Sequence, residues 1–190
     1  MTEILKFDNF EENDQDVEQK EEIKLGCLML YFNFTNWSEF IRNLISEEDI
    51  YISNDDEDIN NYGYENEPHC TILYGFHHYN NIVNDIKIYL PKLEDLDDIL
   101  RCDITSFEQE EYDVIKFDIK SEKLTNLNNK LCENFNYSND YVYHPHITIA
   151  YVKKGTASKY IKTNLKQIPL FGDKYIYSDD EYNKTEIIIE

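Results

Sequence analysis

Two histidines and two threonines in this sequence stand in equivalent settings. The segments Pro68-His69-Cys70-Thr71-Ile72-Leu73-Tyr74 and Pro145-His146-Ile147-Thr148-Ile149-Ala150-Tyr151 agree at five of seven positions, 77 residues apart. Self-similarity of this kind marks two copies of one structural unit. Alternate side chains of a strand share a face, so His69 and Thr71 point one way, as do His146 and Thr148 in the second copy. Cys70 and Ile147 point to the opposite, core-facing side. A proline is tolerated where each strand begins, because it need not donate a ladder hydrogen bond there. Two such strands facing each other would place two imidazoles and two hydroxyls around one cleft. That set suits phosphodiester cleavage: a neutral imidazole takes the proton of an attacking hydroxyl, and a protonated one gives a proton to the leaving oxygen. Histidine serves both roles because its ordinary pKa of ~6.5 lies near neutrality. The threonine hydroxyls can donate to non-bridging oxygens, where charge builds in the transition state. No metal is then required. The near symmetry of the copies leaves open which histidine is base and which is acid.

Several neighbours compete for attention. His144 and His146 form an H-x-H pair that His69 could complete as a metal site. No Asp, Glu or Cys repeats beside the histidines, however, as a symmetric metal site would require. Tyr74 and Tyr151 stand five residues from their histidines, an odd offset, so strict alternation sends both rings to the core. Lys153 and Lys154, just behind the second motif, are candidates to offer one charge to a phosphate. His77 and His78 follow the first motif in an expected solvated loop.

The elements that must position the quartet alternate along the chain. Residues 25–34 read as a strand. Asn36 with Glu39 has the form of a capping box ahead of a helix carrying Phe40, Ile41, Leu44 and Ile45. A strand from 68 to 74, a helix from 81 to 90 and strands at 98–107 and 112–119 follow. Ser121 caps a helix bearing Leu124, Leu127 and Leu131. Strands at 146–152, 168–177 and 185–189 complete the series, with a short helix near 156–163. The order is that of an α/β (α+β) domain.

Charge is distributed unevenly. The chain of 190 residues has 39 acids against 18 Lys and Arg, a net charge of −21. A surface of that sign repels long polyanions, so no long nucleic acid is expected as a partner. Residues 1–24 hold nine acids and read as a solvated, disordered lead-in. Nine more acids and no base fall between Glu47 and Glu67, as in an exposed loop, whereas Tyr151–Gly172 has five lysines and no acid. With 41% hydrophobic residues the remainder, 25–190, can build one domain with a real core. No apolar run is long enough for a membrane span, and no secretory signal opens the chain. The cysteines (Cys27, Cys70, Cys102, Cys132) lack redox or zinc spacing and read as reduced thiols, so a cytoplasmic location is expected.

At the paired H-x-T strands the sequence resembles the 2H phosphoesterase superfamily. Within it, the chain is most similar to the phage anti-CBASS cyclic-oligonucleotide phosphodiesterases. That finer likeness rests on E-P-H-C-T-I-L-Y-G-F (67–76), E-Y-D-V-I-K-F-D (111–118) and Y-H-P-H-I-T-I-A-Y-V-K-K-G (143–155), within residues 25–178. The resemblance implies a bilobal 2H fold, two pseudo-twofold-related antiparallel sheets flanked by helices. It implies His69, Thr71, His146 and Thr148 as the catalytic set and cyclic di- or trinucleotide immune signals as substrates. These would be cleaved to linear products without metal or cofactor, evading host CBASS defence. Tyr31 carries over as a base-stacking residue. Two alternatives stay open: a phosphodiesterase for RNA 2′,3′-cyclic phosphates or 2′–5′ linkages, and a non-catalytic acidic protein that binds a nucleotide. The lead-in and net charge have no counterpart in the motif.

Overall fold

The computed structural model describes residues 24–53 and 62–189. The acidic lead-in, save its last residue, and the tip of the second acidic block lie outside those residues. Among the described residues, eight strands form two four-stranded sheets. In the first, β2 (His69–His77) pairs with β1 (Leu25–Phe32), which pairs with β7 (Gly172–Ser178) and then β8 (Lys184–Ile187). In the second, β5 (His146–Lys153) pairs with β4 (Tyr112–Lys120), then β3 (Leu100–Glu108) and the two-residue β6 (Ile168–Pro169). All the pairings are antiparallel. Each motif strand is thus the edge strand of its own sheet, beside a strand that precedes it in the chain by one helix. This is the expected two-lobed α+β arrangement.

The helices interlock the lobes. α1 (Trp37–Leu44) follows β1 of the first sheet, yet Trp37 and Phe40 lie 6.4 and 5.9 Å from Phe117 of β4 in the second. α3 (Glu122–Asn134) follows β4 and reaches the first sheet, where Asn128 Nδ2 donates to the carbonyl of Ile72 at 2.7 Å. α2 (Ile82–Lys87) is short and buries Ile82 and Ile86. The core between these layers is one continuous cluster that includes Leu28, Leu30, Ile72, Phe117, Ile147 and Ile149. Each such side chain contributes ~1.5–3 kcal/mol by leaving water.

Ser121 caps α3 as its sequence implied, its hydroxyl accepting from Leu124 N–H at 3.0 Å. Asn36 does not cap α1 in that way. Its backbone is left-handed (φ 60°) and its side chain makes no capping bond, so the capping box is absent. The segment expected as one strand over 168–177 splits, because the chain crosses from the second sheet to the first at Leu170 and Phe171. Leu170 is buried and Phe171 is exposed at that crossing. The expected helix near 156–163 is a single tight turn at Ala157–Lys159. Buried Asp49 fixes that turn by accepting from Lys159 Nζ and the Tyr160 hydroxyl. All four cysteines are free thiols, and burial pushes those of Cys27 and Cys70 up to about 11.

Candidate active site

The site begins with two β-bulges in equivalent places. On β2, Thr71 lies opposite Met29 and Leu73 opposite Leu28, so Ile72 is an extra residue. On β5, Thr148 lies opposite Lys116 and Ala150 opposite Ile115, so Ile149 is the extra one. A bulge inserts one residue and reverses the alternation beyond it. Before each bulge His and Thr share the cleft face, while the isoleucine stays in the core. After it, the tyrosine at the end of the motif returns to the face of the histidine. The expectation that Tyr74 and Tyr151 pack into the core is therefore corrected: Tyr74 is 50% exposed, and both rings line a cavity with His69. The bulged carbonyls are not left bare. Ile72 O accepts from Asn128, and Ile149 O accepts from Glu65 N–H at 2.9 Å.

Both imidazoles are held in the same way. His69 Nδ1 lies 2.7 Å from the carbonyl of Glu67, and His146 Nδ1 lies 2.7 Å from the carbonyl of His144. A carbonyl can only accept, so each Nδ1 carries a proton and each Nε2 is the nitrogen that exchanges protons. His144 thus contributes its backbone oxygen. Among the described residues no group of three or more His, Cys, Asp or Glu is placed to hold a metal ion.

The two motifs adjoin. The Cys70 thiol lies against the backbone of His146, and the charge of His69 is felt at His146. Two open cavities flank the junction. One of about 1080 Å³ is lined by His69, Thr71, Tyr74 and Tyr151, with Glu67 and Asp180 among the acids on its wall. The other, about 720 Å³, is lined by His146, Thr71, Tyr74, Phe107 and Tyr141, with no acid among its lining residues. Thr71 and Tyr74 border both. Thr148 lines neither cavity and stands across the strand pair from Lys116.

The surroundings of the histidines differ although their backbones do not. Opposite His69 stands Tyr31, its ring stacked on the imidazole at 5.3 Å. Its hydroxyl donates to Glu67 at 3.3 Å. Lys174 and Lys184 both lie 5.6 Å from its ring centre. At 6% exposure Tyr31 is packed against His69, and it lines the larger cavity beside that histidine. Lys184 also pairs with Glu67 and, with the Tyr31 phenol, holds that carboxyl below its usual range. Opposite His146 stands Asp118, in an ion pair with Lys116. The Phe107 and His146 rings meet edge-to-face, their centres 5.0 Å apart. Burial chiefly pushes the pKa of His146 down; Lys116 and His69 push the same way, against the His144 carbonyl and Asp118.

Other expectations are revised by position. Lys153 turns away from the quartet, its Nζ donating to the carbonyl of Glu48 at 2.6 Å. Lys154 pairs with Asp113 at 3.2 Å, and Lys159 with Asp49. Two lysines of the basic segment thus neutralise the protein's own acids. His77 ends β2 and bonds Ser138 Oγ at 2.7 Å, while His78 bonds the Tyr177 hydroxyl at 3.1 Å. Neither is the free loop histidine that was expected. Lys116 and Asp118 also belong to the site, and the one signal of this in the sequence is a lysine set among the apolar residues Val114, Ile115 and Phe117.

No family model and no curated protein matches the sequence. Among solved structures, the chain is similar to Usb1 of Kluyveromyces marxianus, solved with uridine monophosphate. The TM-score is 0.55 at 7% identity, over 87% of this chain and 98% of that one. The likeness is one of fold: the two-sheet α+β arrangement is shared with that protein. No helix among the described residues is long and apolar enough to cross a membrane.

Proposed function

We propose that this protein is a phosphodiesterase in which His69 and His146 act as the acid–base pair. The observation that carries this reading is their identical mooring. Each has Nδ1 on the carbonyl two residues back, Nε2 free to exchange protons, and a threonine two residues on. A binding protein has no need of two such groups. In the first step a hydroxyl attacks phosphorus while one imidazole takes its proton, and the bond to the leaving oxygen breaks as the other imidazole protonates it. If a ribose 2′-hydroxyl attacks, a 2′,3′-cyclic phosphate forms, and water opens it with the two roles exchanged. The donors present supply acid, base and charge stabilisation, so the reaction is expected to proceed without metal.

The substrate we propose is a small cyclic di- or trinucleotide, in line with the resemblance to anti-CBASS phosphodiesterases. Two cavities meeting at Thr71 and Tyr74 suit a compact ligand with bases on both sides of the cleaved phosphate. The acids around the larger cavity disfavour a long phosphate backbone. A second reading, cleavage at an RNA end, is favoured by the likeness to a protein solved with uridine monophosphate. Comparing turnover of 3′,3′-cyclic GMP–AMP with that of an oligoribonucleotide ending in a 2′,3′-cyclic phosphate separates the two. Faster turnover of the oligoribonucleotide would overturn the first.

A further inference from the structure

The two halves of the site have matching backbones and unlike floors. β1 presents Cys27, Met29 and Tyr31 to the cleft side of the first sheet, with Met29 opposite Thr71 and Tyr31 opposite His69. At the same registers β4 presents Lys116 opposite Thr148 and Asp118 opposite His146. Met29 and Tyr31 lie in a small apolar cluster of their own, whereas Lys116 and Asp118 form an ion pair. The lysine side chain is 7% exposed and the aspartate 39%, so the cation is the desolvated partner. Two further contacts fix the pair. Lys116 Nζ sits 4.5 Å from the centre of the Phe107 ring, and Asp118 accepts from the Thr105 hydroxyl at 2.9 Å. Phe107 in turn packs edge-to-face against His146.

The floor strand beside His146 carries a desolvated lysine, whereas the one beside His69 carries Met29 and Tyr31, with the half-exposed Lys184–Glu67 pair beyond the Tyr31 ring. This difference breaks the near symmetry that left the catalytic roles open. We propose that the Lys116–Asp118 pair is the positioning element that makes His146 the general base of the first step, leaving His69 as the acid. The inference rests on the phosphodiesterase reading and adds the division of labour to it. Neither residue touches substrate in this role; both act through His146. A cation fixed beside an imidazole disfavours its protonated form, and a carboxylate favours it. The charged and titratable groups facing His146 are Lys116 and Asp118 from β4 and His69 and the Cys70 thiol from β2, while Tyr141, Tyr143 and His144 from the segment before β5 line the same cavity. From β3 come Phe107 and, through Asp118, Thr105. Burial, the cation and His69 together outweigh the His144 carbonyl and the carboxylate, so the pKa of the ring is held down and its neutral form, with Nε2 ready to accept, is favoured. In the first step Nε2 of His146 takes the proton of the attacking hydroxyl as the new P–O bond forms. The Nε2 proton of His69 passes to the oxygen whose P–O bond breaks.

The test uses the opposite signs of the two charges. Lys116→Met leaves the carboxylate and should move the acidic limb of the kcat/KM profile to higher pH. Asp118→Asn leaves the cation and should move it to lower pH. On that limb a displacement of one unit reads as ~10-fold in rate. Lys116→Arg should restore the wild-type limb, and the double variant should fall between the single ones. A merely structural role would lower kcat in both without shifting the limb in opposite directions. The titration of the His146 ring, followed by NMR in each variant, gives the same test without turnover. Shifts of one sign, no shift at His146, or an acidic limb that follows the titration of His69 would overturn the assignment. Opposite shifts in a protein that turns over no nucleotide phosphodiester would overturn the phosphodiesterase reading instead, and leave the control of His146 standing.

Discussion

His69 and His146 each hold Nδ1 2.7 Å from the carbonyl oxygen two residues earlier, on Glu67 and His144. The carbonyls belong to the entry of each motif strand, so each ring is oriented by the backbone that carries it. This arrangement fixes the tautomer, and it needs no side chain of any particular type at 67 or 144. Side-chain substitutions at Glu67 should therefore leave the His69 tautomer intact, a point that nitrogen NMR of the ring checks directly.

Thr71 borders both cavities, and Thr148 borders neither. If the threonines stabilise charge on the phosphoryl oxygens, they should not do so equally. Thr71→Val is expected to lower kcat by ~10²-fold, the usual size for one oxyanion donor. Thr148→Val should cost less, because its neighbour across the strand pair is Lys116. Steady-state kinetics of both variants decides, and a larger loss at Thr148 would contradict the placement of the phosphate beside Thr71.

Tyr74 is the aromatic ring exposed where the cavities meet. Stacking of a base on an aromatic ring is worth ~1–3 kcal/mol, so Tyr74→Ala should raise KM for a cyclic dinucleotide ~10-fold or more. Its turnover of a phosphodiester without a base should hardly change. Tyr31→Ala should act differently, lowering kcat on both kinds of substrate because its ring supports His69. A KM effect confined to Tyr31→Ala would instead give Tyr31 the stacking role.

The bulge on β2 depends on Asn128, a buried residue whose amide satisfies the carbonyl of Ile72. Asn128→Ala leaves that carbonyl without its partner, a loss of ~1–3 kcal/mol. In a domain of this size the Tm should fall by roughly 2–4 °C for each kcal/mol. Thermal unfolding measures this, and an unchanged Tm would mean that water replaces the amide at no cost.

The profile of kcat/KM against pH should be bell-shaped. Burial and Lys116 hold His146 below the ordinary histidine range, so its neutral form persists to lower pH than that of a solvated histidine. The acidic limb should accordingly lie below ~6.5. A flat profile, or an acidic limb above that value, would count against His146 as base.

The motif strands, the two lobes and the cap of α3 were legible because each is written locally, in a repeat, an alternation or a serine before an apolar stripe. The fate of Tyr74 and Tyr151 was not. A bulge reverses parity, and the isoleucines that form it look like ordinary strand residues. Lys153 misled for the reverse reason, since adjacency along the chain does not say which way a strand-end side chain turns. Lys116 and Asp118 gained meaning only from register, because nothing in the sequence says that they lie opposite Thr148 and His146. The asymmetry of the site is a property of strand pairing, and pairing is not local.

The most direct measurement is hydrolysis of 3′,3′-cyclic GMP–AMP in excess EDTA by the wild-type protein, His69→Ala and His146→Ala side by side, with chromatography of the products. Linear product from the wild type, with kcat lower by at least ~10²-fold in each variant, is the result the account predicts. Wild-type rates retained in both variants, or activity that appears only when metal is restored, would contradict it.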